Sequence, residues 1–354
     1  MNEEKLLDIF SAALREVDPH RAVARHCPAV LKRYGGGSYR GIHIFAFGKA
    51  AFGMSRAALE CLGDHLVKGI VITKRDKTAT YPSDSRVEIY EAGHPLPDQA
   101  GVDATKRVME LAKGMDEHDF VLCLISGGAS ALLVAPYDGI TLHDKQRTTD
   151  LMLKAGADIG ELNTVRKHIS SVKGGRLARM IHPGMVHSLI LSDVIGDRLD
   201  VIGSGPTSPD GTSYADSLEV LSRLGLVREI PEPVHFLLAE GASAGLPETP
   251  KPGDPLFDRV RNQIVASNSQ AINAAAIRAE ELGCRTQVIA IDIHGEAREA
   301  GIWLAREVRK ARAEAHKEQR PLCLISGGET TVTVRGGGVG GRNLELAQIG
   351  RAHV

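Results

Sequence analysis

The chain has 354 residues, is 43% hydrophobic and 25% charged, and carries a formal net charge of −1 at pH 7, which is ordinary for a globular protein of two domains. This near-neutral balance gives no bulk basic field to hold nucleic acid or an anionic membrane surface, so we expect neither as a partner. The acidic N-terminal sequence MNEEKLLDIF carries no apolar leader segment and no apolar run reaches transmembrane length, so we expect a cytoplasmic protein.

Short apolar runs alternate with amphipathic stretches along most of the chain. The predicted strands are, in chain order, Gly41–Phe47, Gly69–Thr73, Val87–Glu91, Phe120–Ser126, Val186–Asp193, Gln287–Ile293, Pro321–Ser326 and Thr330–Arg335. The predicted helices are Glu3–Val17, Ala50–Leu62, Gln99–Lys113, Asp144–Ala155, Tyr214–Leu224, Ser269–Leu282 and Glu296–Lys317. The early strands are nearly continuous apolar runs, which is typical of strands buried on both faces. This alternation predicts an α/β fold with a mostly parallel sheet and helices on both faces.

The composition changes at Gly241–Asp254, GASAGLPETPKPGD, where three prolines and three glycines fall within fourteen residues. Such a segment is typical of a linker. We therefore predict a first domain over residues 1–240, a linker over 241–256 and a second, smaller α/β domain from residue 257.

The five cysteines show no CxxC or CxxxC spacing, and Cys123 and Cys323 lie inside apolar runs. We interpret all five as reduced thiols, which suits a cytoplasmic protein. No His/Cys spacing indicates a zinc site.

The seven residues LCLISGG occur twice, at Leu122–Gly128 and at Leu322–Gly328. In each copy an apolar strand leads into two glycines, which let the backbone come close to a ligand. Where a helix follows, its N–H groups and dipole favour an anion, and such sites lie at the carboxyl ends of strands. The flanking segments do not match, so we do not interpret the copies as a duplication. Each copy separately provides a strand that leads into a glycine turn able to approach a ligand.

Lys49 follows the apolar run IHIFAF in the segment FGKAAFG, at the start of a predicted helix. A P-loop requires GxxxxGK followed by Ser or Thr, but His43 occupies the position of the first glycine and Ala50 follows the lysine. The segment is therefore no P-loop. A lysine at this point is predicted to contact a phosphate or a carboxylate, and the alternative is an ordinary surface lysine.

The segment GGGVGG, Gly336–Gly341, satisfies the pattern GxGxxG through Gly336, Gly338 and Gly341. A dinucleotide site also requires a βαβ unit and an acidic residue about twenty positions further on, and the chain ends first. We therefore favour an anion-binding loop that leads into Arg342 over an NAD site.

A polar cluster lies in ELNTVRKHISSVKGGRLA, Glu161–Ala178. Asn163, Arg166 and Lys173 are spaced to share roughly one face of a helix. Concentrated basic groups in a nearly neutral protein suit a phosphorylated small molecule, and the alternative is a solvated basic helix.

The segment LILSDVIGDRLDVIGSGPTSPD begins with an apolar strand that ends at Ser192–Asp193. A carboxylate at the carboxyl end of a strand can hold Mg²⁺ or act as a base. GSGPT, Gly203–Thr207, is predicted to be another loop of backbone donors. Together these features favour phosphoryl transfer to a small acid, because that chemistry depends mostly on positioning and electrostatic stabilisation.

Four long segments resemble the class II glycerate 2-kinases, the family that carries a MOFRL domain: SGGASALL, LNTVRKHISSVKGGRLA, LSDVIGDRLDVIGSGPT and SGGETTVTVRGGGVGGRNLELA. The resemblance extends, in order, over nearly the whole chain. The resemblance implies an ATP- and Mg²⁺-dependent enzyme that converts glycerate to 2-phosphoglycerate. It also implies that Lys49 and Arg342 face the transferring phosphoryl group and that Asp193 is the aspartate of the LSD motif.

The chain departs from the family pattern at its end. Family members continue past GGRNLELA, whereas this sequence stops at Val354, and its last six residues match the translation of a common sequencing-adapter string. We therefore expect an incomplete, MOFRL-type second domain over residues 257–348, a non-native tail over residues 349–354, and impaired activity.

The resulting prediction is a two-domain α/β kinase with a Rossmann-like first domain and an active site between the domains. Lys49, Arg342 and Asp193 are the predicted catalytic residues, and Asp193 is also the predicted Mg²⁺ ligand. The predicted substrate and phosphate contacts are Ser126, Gly127, Gly128, Ser130, Asn163, Arg166, Lys173, Ser204, Gly205, Thr207, Ser326, Gly327, Gly328, Glu329, Thr330 and Asn343. ATP and glycerate are the expected ligands, and a homo-oligomer is left open. The alternatives are a kinase for another small hydroxy acid, an NAD(P)H-dependent hydroxypyruvate reductase and a non-catalytic module that binds a phosphorylated ligand.

Overall fold

The computed structural model describes residues 3–76, 84–315, 320–334, 336 and 339–353. The chain forms two compact units: a smaller unit made of Met1–Asp18 with Ala266–Val354, and a larger unit made of Pro19–Val265.

The strands form two sheets. They are β1 (Gly41–Phe47), β2 (Leu66–Lys74), β3 (Val87–Ala92), β4 (Asp119–Ser126), β5 (Met185–Leu191), β6 (Val260–Ala266), β7 (Arg285–Ile293) and β8 (Leu322–Gly328). The larger sheet has the order β3-β2-β1-β4-β5-β6, and the smaller sheet pairs β7 with β8. The pairs β1–β2, β1–β4, β2–β3, β4–β5 and β7–β8 are parallel. The predicted α/β fold with a mostly parallel, Rossmann-like sheet is confirmed.

The seven predicted helices all form, with their described ends within two residues of the prediction, and the predicted end at Lys317 lies outside the described residues. The helices are α1 (Glu3–Glu16), α2 (Pro19–Gly35), α3 (Ala51–Leu62), α4 (Gln99–Lys113), α5 (Ala129–Leu132), α6 (Leu142–Lys154), α7 (Ile159–His168), α8 (Arg176–Ile181), α9 (Tyr214–Arg223), α10 (Glu232–Ala242), α11 (Asn268–Glu281), α12 (Ala297–Ala315) and α13 (Arg342–His353). The predicted helices did not include α2, which has Pro28 inside it, or α7, which buries polar side chains such as Asn163 and Lys167. The helix α10 and the short helices α5 and α8 were not predicted either. An internal proline argues against a helix at α2, and the buried polar residues of α7 interrupt the apolar periodicity on which the other predictions rest.

The larger sheet is covered on both faces. Phe45 and Phe47 of β1 belong to one core cluster with Ala104 and Val108 of α4. The intervening residue Ala46 points to the opposite face, because side chains alternate along a strand, and it is fully buried too. Every residue of β4 is buried. Full burial of a large apolar side chain contributes about 1.5–3 kcal/mol, so these two central strands anchor the unit.

The edge strand β6 was missed by the sequence analysis. Its sequence VRNQIVA places three polar residues, Arg261, Asn262 and Gln263, in the middle of the strand. Only its last two residues are buried. A strand at the edge of a sheet needs no continuous apolar run, so the pattern that revealed the central strands was absent here.

A layer of four helices, α6, α7, α9 and α10, surrounds a separate core cluster in the larger unit. Tyr214 at the start of α9 is fully buried in this cluster. Part of the segment predicted as a linker packs into the same unit. Thr249 is buried, and its hydroxyl donates to the Asp210 carboxylate at 3.0 Å.

The smaller unit packs helices on the β7–β8 pair. Its core joins Ile9 of α1 to Ile272 of α11 and Ile325 of β8. The Arg278 guanidinium of α11 also donates to the Asp8 carboxylate of α1 at 2.9 Å. The first helix therefore packs with the C-terminal part of the chain, an arrangement that the sequence analysis did not contain.

The strand predicted at Thr330–Arg335 does not form over the described residues 330–334. Thr331 makes only an isolated bridge with Glu296. The Thr333 hydroxyl and backbone N–H both donate to the Glu296 carboxylate, so side-chain bonds replace a strand ladder. Arg335 lies outside the described residues.

Two of the five cysteines also differ from the prediction, because Cys27 of α2 and Cys61 of α3 form a disulfide with their Cα atoms 6.4 Å apart. These two helices pack together, which brings the two side chains into reach although no local spacing signals it. Cys123, Cys284 and Cys323 are buried and form no disulfide, as predicted. Among the described helices, none is both long enough and apolar enough to cross a membrane.

Candidate active site

The strand order of the larger sheet reverses between β1 and β4, because β2 and β3 lie on one side and β5 on the other. In open α/β sheets, ligands bind at such a reversal, beyond the carboxyl ends of the strands. The turn after β1 carries Lys49 and the turn after β4 carries Gly127 and Gly128. The two turns touch, since the Lys49 backbone N–H donates to the Gly127 carbonyl at 2.7 Å. The predicted elements therefore meet where a ligand site is expected.

Lys49 and Asp193 face each other across these turns. Asp193 follows β5, which ends at Leu191, and its Oδ2 lies 3.4 Å from the Lys49 Nζ. The two side chains are 46% and 40% exposed, so both charges are accessible from solvent. The structure thus brings together two of the three residues that were predicted to be catalytic.

The side chains of Lys49 and Asp193 occupy the space beside the glycines of the SGG turn. A Cβ on Gly127 would lie 1.8 Å from the Asp193 Oδ2. Gly128 has φ +84°, and a Cβ there would lie 3.0 Å from the Lys49 Cγ and 2.9 Å from the His94 ring. Gly127 and Gly128 therefore leave space for the side chains of Asp193, Lys49 and His94.

Backbone donors of the Lys49 turn are already used. The Lys49 N–H donates to Gly127, and the Ala50 N–H donates to the buried Ser126 hydroxyl oxygen at 3.0 Å. The helix α5 that follows Gly128 spans only four residues, so its dipole adds little. The ammonium group of Lys49, rather than a nest of N–H groups, supplies the positive charge here.

A cavity of about 410 Å³ opens beside Gly128. Its polar lining includes His94, Ser130, Lys145, Arg166 and Lys173. Its walls also carry apolar side chains from the His94 loop and from α6. All of these residues belong to the larger unit.

The two lysines of the cavity are unusually buried for charged groups, and Arg166 is half-buried. Lys145 is 4% exposed, and burial together with the Arg166 charge lowers its pKa to about 7. Lys173 is fully buried, and burial lowers its pKa well below the ordinary lysine value, with the charges of Lys145 and Arg166 acting in the same direction. Burial also lowers the pKa of Arg166. Burial thus favours the neutral forms of the two lysines, and a bound anion would favour their protonated forms.

Lys173 has a structural role as well as an electrostatic one. Its ammonium donates to the Gly203 carbonyl at 3.0 Å and to the Ala129 carbonyl at 3.3 Å. These bonds tie the turn after β4 to the GSG loop. The predicted residue lies in the site, but its donors are largely occupied by the backbone.

Asn163 and Ser204 form a buried polar chain that reaches the cavity wall. The Ser204 hydroxyl donates to the Asn163 Oδ1 at 2.9 Å and lies 3.1 Å from the Ser130 hydroxyl. The Asn163 Nδ2 is buried without a partner among the described residues. Ser204 is held at φ +62°, an uncommon conformation for a residue with a side chain.

The rest of the GSG loop binds protein rather than facing the cavity. The Gly205 carbonyl accepts from the Gly175 N–H at 2.7 Å, and the Gly205 N–H donates to Ile202. The Thr207 hydroxyl is buried and donates to the Asn262 Oδ1 at 2.8 Å. Gly205 and Thr207 therefore hold the loop against its neighbours.

The second SGG turn, in the smaller unit, has a different setting. A Cβ on Gly327 would lie 2.6 Å from the Asn268 side chain, and one on Gly328 would lie 2.1 Å from the Ile293 carbonyl oxygen. These glycines make room for the unit's own strand and helix. Ser326 precedes them at the half-buried end of β8.

Arg342 begins α13 beside this turn. Its guanidinium lies 2.8 Å from the Glu329 carboxylate and donates to the Thr330 carbonyl at 3.3 Å. Asn343 follows in the first turn of the helix and is exposed. The structure thus gathers Glu329, Thr330, Arg342 and Asn343, while Gly337 and Gly338 of the glycine-rich loop lie outside the described residues.

Comparison with known proteins assigns the chain to a family. Residues 5–239 match the family described as a domain of unknown function, DUF4147. The chain is 41% identical over 342 residues to D-glycerate 2-kinase of Thermotoga maritima, a match that covers 96% of this chain and 76% of that protein. The chain belongs to the class II glycerate 2-kinase family. The family predicted from the sequence motifs is therefore confirmed.

Two further similarities extend over the same range. A crystal structure of glycerate kinase from Thermotoga maritima matches with a TM-score of 0.85 and 38% identity, over 99% of this chain and 79% of that chain. A protein of Agrobacterium vitis whose provisional name is hydroxypyruvate reductase is 38% identical over 340 residues, covering 96% of this chain and 73% of that protein. This member of the glycerate 2-kinase family thus has relatives under two different names.

Two residues of the site were missed in the sequence. Lys145 occurs in LHDKQRTTD, where a lysine looks like an ordinary charge on an amphipathic helix. His94 follows β3, and that position at the carboxyl end of a strand was the signal that could have identified it. Burial lowers the pKa of His94, and the nearby Lys49 charge lowers it further.

Proposed function

We propose that this protein phosphorylates glycerate with ATP and forms 2-phosphoglycerate by in-line transfer. The observation that carries the proposal is the Lys49–Asp193 pair, which lies at the reversal point of the sheet beside a cavity lined by basic side chains. The names of the relatives, glycerate 2-kinase and glycerate kinase, supply the substrate. A cation at the turn suits the transferring phosphate, and a basic cavity suits an acid.

Lys49 would stabilise the phosphoryl group during transfer. Charge in such a reaction is spread over the equatorial oxygens of the transferring group, so a fixed cation lowers the barrier. The ion pair with Asp193 holds the Lys49 ammonium at the turn, and its 46% exposure leaves donors for a ligand. Arg342 is proposed to add a second cation, as the family resemblance implies.

Asp193 is the residue that fits a Mg²⁺ ion. Among the described residues, no group of three His, Cys, Asp or Glu side chains gathers as a metal site. Mg²⁺ usually takes only one or two carboxylates and completes its shell with substrate phosphates and water, so one accessible carboxylate is sufficient. Bound there, Mg²⁺ would neutralise phosphate charge.

The other proposed contacts divide by position. Ser126, Gly127 and Gly128 lie at the Lys49 turn and would approach the phosphates. Arg166 lies in the cavity and would approach the acid, while Asn163 accepts from Ser204, which contacts Ser130 of the cavity wall.

ADP release on addition of glycerate tests the proposal, with ³¹P NMR of the product to identify the phosphorylated hydroxyl. We expect ADP release that depends on glycerate and Mg²⁺, and a product that carries phosphate on C2. Faster turnover of another short hydroxy acid would identify that acid, rather than glycerate, as the substrate. NADH oxidation with hydroxypyruvate, or tight ligand binding without ADP release, would refute the kinase assignment.

A further inference from the structure

The charge in the cavity beside Gly128 is not balanced by the protein. Lys145, Arg166 and Lys173 all line it, and Asp150 is the one carboxylate lining it among the described residues. Asp150 is 47% exposed and pairs with Lys154 at 2.8 Å, on the outer side of α6. The three basic side chains therefore face no carboxylate inside the cavity among the described residues.

Two of these side chains also retain free donors. The Lys145 ammonium makes one long hydrogen bond, 3.4 Å to the Arg166 carbonyl. The Arg166 guanidinium makes no hydrogen bond to any described residue. Burying charged donors without partners is expensive, and a protein that evolved only for stability would place apolar side chains there. The expense is explained if an anion completes the site.

The geometry points to one kind of anion. Lys173 is committed to two backbone carbonyls, so Lys145 and Arg166 are left to contact a ligand. A guanidinium and a carboxylate form two parallel hydrogen bonds, and an adjacent ammonium adds a third. The apolar walls, which include Leu96 and Leu153, suit a short carbon chain better than a polyphosphate.

The cavity also lies in the right place for an acceptor. Gly128 lines it, and a Cβ added to Gly128 would lie 3.0 Å from the Lys49 Cγ. A molecule anchored deep in the cavity would extend towards the Lys49–Asp193 pair. We propose that the cavity binds the carboxylate of a small hydroxy acid through Arg166 and Lys145, leaving the Lys49 turn to the phosphates. This assignment rests on the proposed function for the identity of the acid.

Binding measured without nucleotide tests the proposal independently of turnover. We would titrate D-glycerate into the full chain by calorimetry, with lactate and glycerol as probes. Glycerate and lactate should bind and glycerol should not, because only the first two carry a carboxylate. Lys145→Met and Arg166→Gln should each weaken glycerate binding about 10- to 100-fold, the usual loss for a charge-assisted hydrogen bond. Lys106→Met, on the exposed face of α4, is the matched control and should bind as the wild type does.

Thermal melting separates binding from a structural role. Lys145→Met removes a buried amine whose charged form is destabilised by burial, so its melting temperature should stay equal or rise. A lowered melting temperature with unchanged glycerate affinity would make Lys145 structural and overturn the proposal. So would the absence of glycerate binding in the wild type, or displacement of glycerate by tripolyphosphate together with weaker nucleotide binding in Lys145→Met. Intact glycerate binding without ADP release would refute the kinase function but leave the cavity assignment standing.

Discussion

Replacing Gly127 with alanine should separate activity from stability in this protein. The new Cβ would lie 1.8 Å from the Asp193 Oδ2, and real Cβ atoms essentially never approach another atom closer than 3.0 Å. The carboxylate must therefore move by more than about 1 Å, and it can, because it ends a flexible side chain with 40% exposure. A displacement of about 1 Å in a catalytic site costs roughly 100-fold in rate, or about 2.7 kcal/mol in the barrier. The fold should survive.

Steady-state ADP release and thermal melting of the same preparations provide the assay. Gly35→Ala is the matched control, since an added Cβ at Gly35 meets nothing within 4 Å. We expect Gly127→Ala to lose about 100-fold in kcat with a melting temperature close to that of the control. A kcat within about threefold of the control would show that the position of Asp193 is not used in catalysis. A large fall in melting temperature would show that the backbone, rather than the carboxylate, had to give way.

Three further predictions concern single charges. Lys49→Ala and Arg342→Ala should each raise the barrier by about 3 kcal/mol, and an unchanged kcat in either variant would remove that residue from the mechanism. Asp193→Asn should fold normally but lose its rate response to Mg²⁺ in a metal titration; a wild-type response would place the metal elsewhere. Glycerate affinity should be highest below pH 7 and fall as the pH rises, because Lys145, with a pKa of about 7, loses the proton that makes it a cation while glycerate stays ionised. Lys145→Met should flatten this pH profile in calorimetry, and an unchanged slope would assign the titration to another group.

The helices and strands could be predicted where their burial produces a regular pattern of apolar residues in the sequence. The residues of β1 and β4 are apolar almost without interruption, because helices cover both faces of the sheet. β6 carries polar residues at its centre because it lies at the edge of the sheet, and α7 buries polar residues against a loop. In both elements the hydrophobic pattern depends on which other elements pack against them. A single sequence does not contain that information.

The site was predictable by residue type and position rather than by contact. Lys49 and Asp193 were identified because each follows an apolar strand. Their 3.4 Å approach depends on β1, β4 and β5 lying side by side, an order that periodicity does not determine. Lys145 was missed for the opposite reason. A lysine on a helix is exposed in most proteins, and only the packing of α6 makes this one buried.

The two copies of LCLISGG are identical in sequence, but they differ in how well they tolerate amino-acid substitutions. In β4 all of the strand residues are buried, so Leu124→Ala would leave a cavity and cost about 2–5 kcal/mol. In β8 the burial alternates, and Leu324 is only half-buried. Substitutions that would be purged from the first copy can therefore accumulate in the second at alternate positions. We therefore expect substitutions to accumulate faster in the β8 copy than in the β4 copy.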